Sequence, residues 1–166
     1  MAKDESFDIV SEVDLQEVDN AYQQTKKELT QRYDLKSSKA SLEFDKAAKR
    51  FVLLAPSDFV AQQVIDVLNT KLVQRKTDLK ALRWLGPEDA SGKNIRYRGE
   101  LIEGIAKDLA TKISKNVRDL KLKKVKIQVE GERLRVYSSS RDELQQVIAY
   151  LKEQDYGQPL QYINYR

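Results

Sequence analysis

Two short runs of alternating residues, close together in the second half of the chain, carry the side chains best suited to meeting an anion. In LKKVKIQVEGERLRVY, Val125, Ile127 and Val129 alternate with Lys124, Lys126 and Gln128. After Glu130, Gly131 and Glu132, the return run alternates Leu134 and Val136 with Arg133, Arg135 and Tyr137. A period of two sends successive side chains to opposite faces of a strand. One face of this hairpin is therefore apolar, and the other collects Lys124, Lys126, Arg133, Arg135 and Tyr137. Such a set suits a nucleotide: cations for phosphate, a planar guanidinium fork that meets two phosphate oxygens at once, and a ring to stack on a base. The competing reading is solvation, because Lys and Arg are common on open strands and keep sheet edges from aggregating.

Bond-making chemistry has less to work with. The chain has no cysteine and no histidine, so thiolate nucleophiles, disulfides, most zinc sites and every imidazole-dependent triad are excluded. No phosphate loop of the Walker type and no paired carboxylates are found. Asp8, Asp14 and Asp19 lie near one another in sequence, but Asp14 stands where a helix cap belongs and Asp19 on the surface of the helix that follows. Binding without catalysis, metal or cofactor is the expectation. There is no long apolar run and no signal-peptide pattern at MAKDESFD, so a cytoplasmic protein with no membrane partner is expected.

The elements that must position these residues occur twice. Strand, helix, two strands, helix and strand can be followed from about residue 6 to 85 and again from about 94 to 166. In the first copy, Phe7, Ile9 and Val13 alternate with Ser6, Asp8 and Glu12. Asp14 with Glu17 resembles a capping box, and Leu15, Val18, Tyr22, Leu29 and Tyr33 form a helical stripe. A hairpin at 42–54, a helix carrying Val60, Val64, Leu68 and Leu72, and a closing strand at 79–85 complete it. GPEDASGK then reads as a linker. In the second copy Ile95, Tyr97 and Leu101 alternate with Arg96 and Arg98, and Ile105, Leu109, Ile113 and Val117 mark a helix. Ser140 with Glu143 forms a second capping box, and residues 160–166 form a last strand. A βαββαβ unit buries one sheet face under two helices and leaves the other bare, and the bare face is where a binding function would lie.

Charge is permissive rather than decisive. The chain carries 30 basic and 26 acidic residues, a net of +4, which allows a polyanionic partner without requiring one. The basic tract Lys121, Lys123, Lys124 and Lys126 is most simply a solvated stretch beside the candidate face. Trp84 is more simply core than a stacking platform. One side of the first hairpin, Phe51 and Leu53 or Val52 and Leu54, gives that sheet an apolar outer face, suited to a protein contact.

Six blocks, SFDIVSEVDLQEV, RYDLKSSKASLEF, LKALRWL, EDASGKNIRYR, LKKVKIQVEGERLRV and DYGQPLQYINYR, resemble in order and spacing the YajQ family of bacterial nucleotide-binding proteins. The resemblance implies an α+β fold: a tandem of two ferredoxin-like, RNA-recognition-type βαββαβ domains with antiparallel four-stranded sheets, each with two helices on one face. It also implies that the first strands are exchanged, giving one domain of residues 14–101 and another of residues 1–13 with 102–166. It further implies a nucleotide or RNA ligand and, for some members, cyclic di-GMP sensed through protein partners. The sequence departs from the family pattern in three places: SGKN replaces a glycine pair, Leu35 and Ser37 replace Phe and Gly, and Tyr162 and Tyr165 replace phenylalanines. The glycine loss removes a close backbone approach to phosphate at that turn.

Two functions follow. In one, Arg96, Arg98, Arg133 and Arg135, with Lys124 and Lys126, contact phosphate while Tyr137 or Tyr165 stacks on a base. In the other, the sheet faces dock a partner protein and nucleotide acts as an effector.

Overall fold

The computed structural model describes residues 3–32 and 38–166; Tyr33, Leu35 and Ser37 lie outside them. The chain divides into two compact units, Met1–Glu12 with Glu103–Arg166, and Val13–Ile102.

The Val13–Ile102 unit holds helix α1 (Leu15–Gln31), strands β2 (Ser41–Asp45) and β3 (Arg50–Ala55), helix α2 (Asp58–Gln74), and strands β4 (Leu82–Asp89) and β5 (Ile95–Leu101). Its sheet runs β2-β3-β5-β4, every neighbour antiparallel. Phe51, Leu53, Ala55, Tyr97 and Leu101 face the helices and pack with Val18, Tyr22, Val64, Leu68 and Leu72. Parity leaves Val52, Leu54, Arg96, Arg98 and Leu85 on the opposite face. Trp84 belongs to the core side, its indole lying over Gly99, where an added Cβ would come within 2.8 Å of the ring.

The other unit holds β1 (Glu5–Val10), helix α3 (Lys107–Asp119), strands β6 (Val125–Glu130) and β7 (Arg133–Ser138), helix α4 (Arg141–Lys152) and β8 (Gln161–Ile163). Its order is β6-β7-β1-β8, again antiparallel throughout. The strands are thus exchanged as the family resemblance implies: β1 pairs with β7 and β8, while β5 pairs with β3 and β4. Phe7, Ile9, Leu134 and Val136 meet Ile113, Val117, Val147, Ile148 and Leu151 in a second core.

Four local expectations are corrected. Residues 79–81 form one turn of 3-10 helix, capped by Asp78, before β4 begins. GPEDASGK is not a linker, because Glu88 and Asp89 pair with Arg96 and Ile95 past a register shift that contains the cis Gly86–Pro87 bond. The first strand, expected to run on to Val13, spans Glu5–Val10, and Val13 packs in the core of the other unit. Neither capping box closes. Asp14 accepts from the backbone N–H of Gln16 and Glu17, and Ser140 from that of Glu143. The returning carboxylates are engaged elsewhere, however: Glu17 with Arg75 at 3.1 Å, and Glu143 with the backbone N–H of Lys124 at 3.2 Å. A charge-assisted bond to Arg75 outweighs a neutral one to the cap backbone.

Candidate nucleotide-binding face

The open face of the β6-β7-β1-β8 sheet follows from register. Tyr137 stands opposite Lys126 on one side and Ser6 on the other; Arg135 stands opposite Gln128 and Asp8; Arg133 stands opposite Glu130. Each belongs to the parity that points away from the helices, since Leu134 and Val136 between them are fully buried. Arg133, Arg135, Tyr137 and Lys126 are therefore brought together.

Their charges are not free. Asp8, only 1% exposed, occupies the centre of the face. Its Oδ1 accepts from Nε of Arg135 at 2.7 Å, and its Oδ2 from Nη1 of Arg133 at 3.2 Å and Nδ2 of Asn164 at 2.8 Å. Nη2 of Arg135 adds a contact of 3.5 Å to each of Asp8 Oδ2 and Glu130 Oε2, and Nη2 of Arg133 lies 3.8 Å from Glu12. Buried carboxylates persist only when paired in this way. The Arg135 hydrogen bond, more than any other interaction, lowers the Asp8 pKa from 3.8 to about 2, overcoming the opposing effect of burial. Arg135 is pushed up correspondingly, first by Asp8 and then by Tyr137.

Asn164 reaches Asp8 through a bulge. Ser6 exchanges two 3.0 Å backbone hydrogen bonds with Arg166, while Asp8 stands opposite Ile163. Two steps along β1 thus match three on the partner strand, and Asn164 takes up the extra residue at φ 57°, a conformation that Asn tolerates better than most residues.

The resulting face carries three cations, Lys126, Arg133 and Arg135, against three carboxylates, Asp8, Glu12 and Glu130. Around Asp8 the charge is balanced rather than positive. The face's capacity for anions lies in geometry: each guanidinium has five N–H donors. Among the described residues, Arg133 bonds through Nη1 and Nη2 and leaves Nε without a protein acceptor, while Arg135 also engages Tyr137. The side chains of Arg133 and Arg135 remain 38% and 23% exposed.

The other candidates are placed elsewhere. Lys124 is exposed just before β6. Arg96 and Arg98 belong to the β2-β3-β5-β4 sheet, where Arg98 pairs with Glu88 at 3.3 Å. Tyr165 lies on the helix side of its own sheet, with its ring 6.0 Å from that of Phe7. There it is 61% exposed and lines a cavity of about 360 Å³ with Arg141 and Glu5, which are joined by hydrogen bonds of 3.0 and 3.1 Å. The bulge at Asn164 puts Tyr165 on this side, so the two rings considered for stacking occupy opposite faces.

The centre of the face, Asp8, was legible in sequence only as a member of an acidic trio. The sharper signal is a carboxylate in the middle of the apolar strand FDIV, which must find a cation if the strand is covered. Nothing in the sequence announces Asn164.

Two units, each an antiparallel four-stranded sheet with helices on one face and the other face open, define a tandem ferredoxin-like binding protein of the α+β class. The profile of the family described as "Nucleotide-binding protein YajQ-like" matches residues 5–166. Similar proteins include one of Desulfitobacterium hafniense, 45% identical over 166 residues and covering the whole of both chains, and one of Nocardia farcinica, 46% identical over 163 residues, with 98% of this chain and 99% of that one aligned. A third, of Bacillus cytotoxicus, is 45% identical over 166 residues with both chains fully covered. All three are named nucleotide-binding proteins. The chain belongs to the YajQ-like nucleotide-binding family. The family name refers to binding and not to a reaction. Among the described residues no helix is long and apolar enough to cross a membrane.

Proposed function

We propose that this protein binds a nucleotide without transforming it, on the open face of the β6-β7-β1-β8 sheet. The observation that carries this reading is the convergence of Arg133 and Arg135 on the single buried carboxylate of Asp8. Two guanidinium planes held side by side are already ordered before a ligand arrives, so little side-chain entropy is lost on binding. Their remaining donors take the phosphate, Lys126 supplies a further cation, and Tyr137 offers its ring to the base. Lys124 extends the same row. Arg96 and Arg98 offer phosphate contacts of their own on the β2-β3-β5-β4 sheet, and Tyr165 stacks only on ligands entering from the helix side.

A cyclic dinucleotide such as cyclic di-GMP or a single-stranded RNA fits the same arrangement, with more than one phosphate to share. Bound nucleotide then acts as a regulatory signal within a cytoplasmic protein. A second reading, a docking platform for a partner protein with nucleotide as effector, is favoured by one feature: Leu85, 43% exposed, stands on the same sheet face as Val52 and Leu54.

Calorimetric titration of cyclic di-GMP, GTP, ATP and a short RNA into the pure protein tests the first reading. Binding that weakens at least tenfold in Arg135→Gln, and further with Arg133→Gln, supports it. Binding unchanged in the double variant leaves the docking platform as the better account.

A further inference from the structure

Unpaired positive charge on this unit is concentrated away from the sheet face. Residues 107–124 hold seven basic and two acidic side chains, a net of +5, although the whole chain carries only +4. The unit containing them has 14 basic and 13 acidic residues, so the rest of it is net negative. On α3, Lys107, Lys112, Lys115 and Arg118 are exposed; in the turn that follows, Lys121 and Lys123 are exposed too. Among the described residues none of these six forms a salt bridge, in contrast to Arg133, Arg135 and Arg141. Lys112 lies with its Nζ 5.7 Å from the centre of the Tyr156 ring.

We propose that the solvent face of α3 and the turn after it bind the phosphate backbone of a nucleic acid strand, as a second surface separate from the sheet. This proposal stands independently of the nucleotide reading above. Cations three and four residues apart on a helix lie about 5–6 Å from one another, comparable to successive phosphates along a strand. A helix of 13 residues extends over about 20 Å, enough for several phosphates.

The same surface argues against other anionic partners. A helix lying on a membrane needs an exposed apolar face, but of the apolar residues of α3, Ala110, Ile113 and Val117 are buried in the core and Leu109 is partly buried against it. None of the large exposed hydrophobic residues of the protein falls between 107 and 124. Protein interfaces, for their part, are depleted in lysine and anchored by aromatic residues at their centres. Five of the six cations here are lysines. Lysine acts as a point charge toward phosphate and reads no sequence, so the surface is expected to be indifferent to base identity.

The test is fluorescence anisotropy with a short single-stranded RNA, a duplex RNA and a duplex DNA across a salt series. Wild type is compared with the combined variant Lys112→Gln, Lys115→Gln, Arg118→Gln and Lys121→Gln, and with Arg133→Gln/Arg135→Gln. Glutamine keeps helix propensity near that of lysine and arginine, and an unchanged urea midpoint confirms folding. For single strands the slope of log affinity against log salt changes by about 0.7 per lost contact. Loss of all four contacts therefore flattens it by about 3 units, with mononucleotide binding unaltered. The three strands establish whether one backbone geometry is preferred. A wild-type slope in the combined variant, dependence on Arg133 and Arg135 alone, or no binding of any strand at low salt overturns the proposal. Mononucleotide titration judges the sheet reading separately.

Discussion

Asp8 and Arg135 stand directly opposite each other on β1 and β7, joined by a 2.7 Å hydrogen bond between residues 127 positions apart in sequence. The pair exists only because β1 is exchanged into the sheet of the second repeat. Strand exchange and the organisation of the arginines are therefore one structural fact.

Replacing Asp8 with Asn leaves two guanidinium groups beside a neutral amide and is expected to destabilise the protein by about 2 kcal/mol or more. The pH dependence has a definite sign. Asp8 titrates at about 2 in the folded chain against an ordinary 3.8. Its contribution, about 2 kcal/mol, is present in full above pH ~4 and is lost as pH falls toward 2. Urea unfolding followed from pH 6 downward should show this loss in wild type, and Asp8→Asn should lack that part of the acid dependence. Parallel curves for the two proteins would contradict the assignment.

Gly99 supports Trp84 by absence of a side chain. Its added Cβ would lie 2.8 to 3.0 Å from three carbon atoms of the indole, and a rigid ring pressed against β5 has little room to yield. Gly99→Ala should cost about 1–3 kcal/mol by overpacking, read as a lowered thermal midpoint. An unchanged midpoint would mean that the ring moves freely.

Lys76 closes α2 in the left-handed region at φ 61°. Its N–H donates to Val73 O at 3.0 Å, and that of Thr77 to Leu72 O at 2.9 Å, the double bond of a Schellman motif with lysine where glycine is preferred. Left-handed backbone costs a non-glycine residue about 1 kcal/mol. Lys76→Gly should therefore stabilise the protein by about 0.5–1 kcal/mol despite the entropy of glycine in the unfolded chain. A destabilised variant in chemical denaturation would refute this.

The alternation of Arg133, Leu134, Arg135 and Val136 sufficed to place the hairpin and its polar face, because a period of two is a local property. What the polar face faces is not local. Asp8 is more than a hundred positions away and Asn164 is aimed by a bulge, so four apparent cations and a ring become a charge-balanced network that no strand parity reveals. GPEDASGK carried loop chemistry and looked like a boundary, but the tertiary pairing of Glu88 and Asp89 with β5 overrides it. The side taken by Tyr165 is hidden for the same reason as Asn164 was missed: one extra residue just after β8 reverses the side on which a ring appears. The basic tract from Lys121 onward looked like ordinary solvated sequence until α3 gave it a continuous neighbour in Lys112, Lys115 and Arg118.

The most direct measurement is an NMR titration of labelled protein with GTP or cyclic di-GMP, following backbone amides and the Nε–H signals of arginine. The account predicts shifts centred on Lys126, Arg133, Arg135 and Tyr137, with the Nε–H of Arg133 moving most because it has no protein acceptor. Shifts confined to the cavity at Glu5, Arg141 and Tyr165, or to Arg96 and Arg98, with β6 and β7 silent, would contradict it.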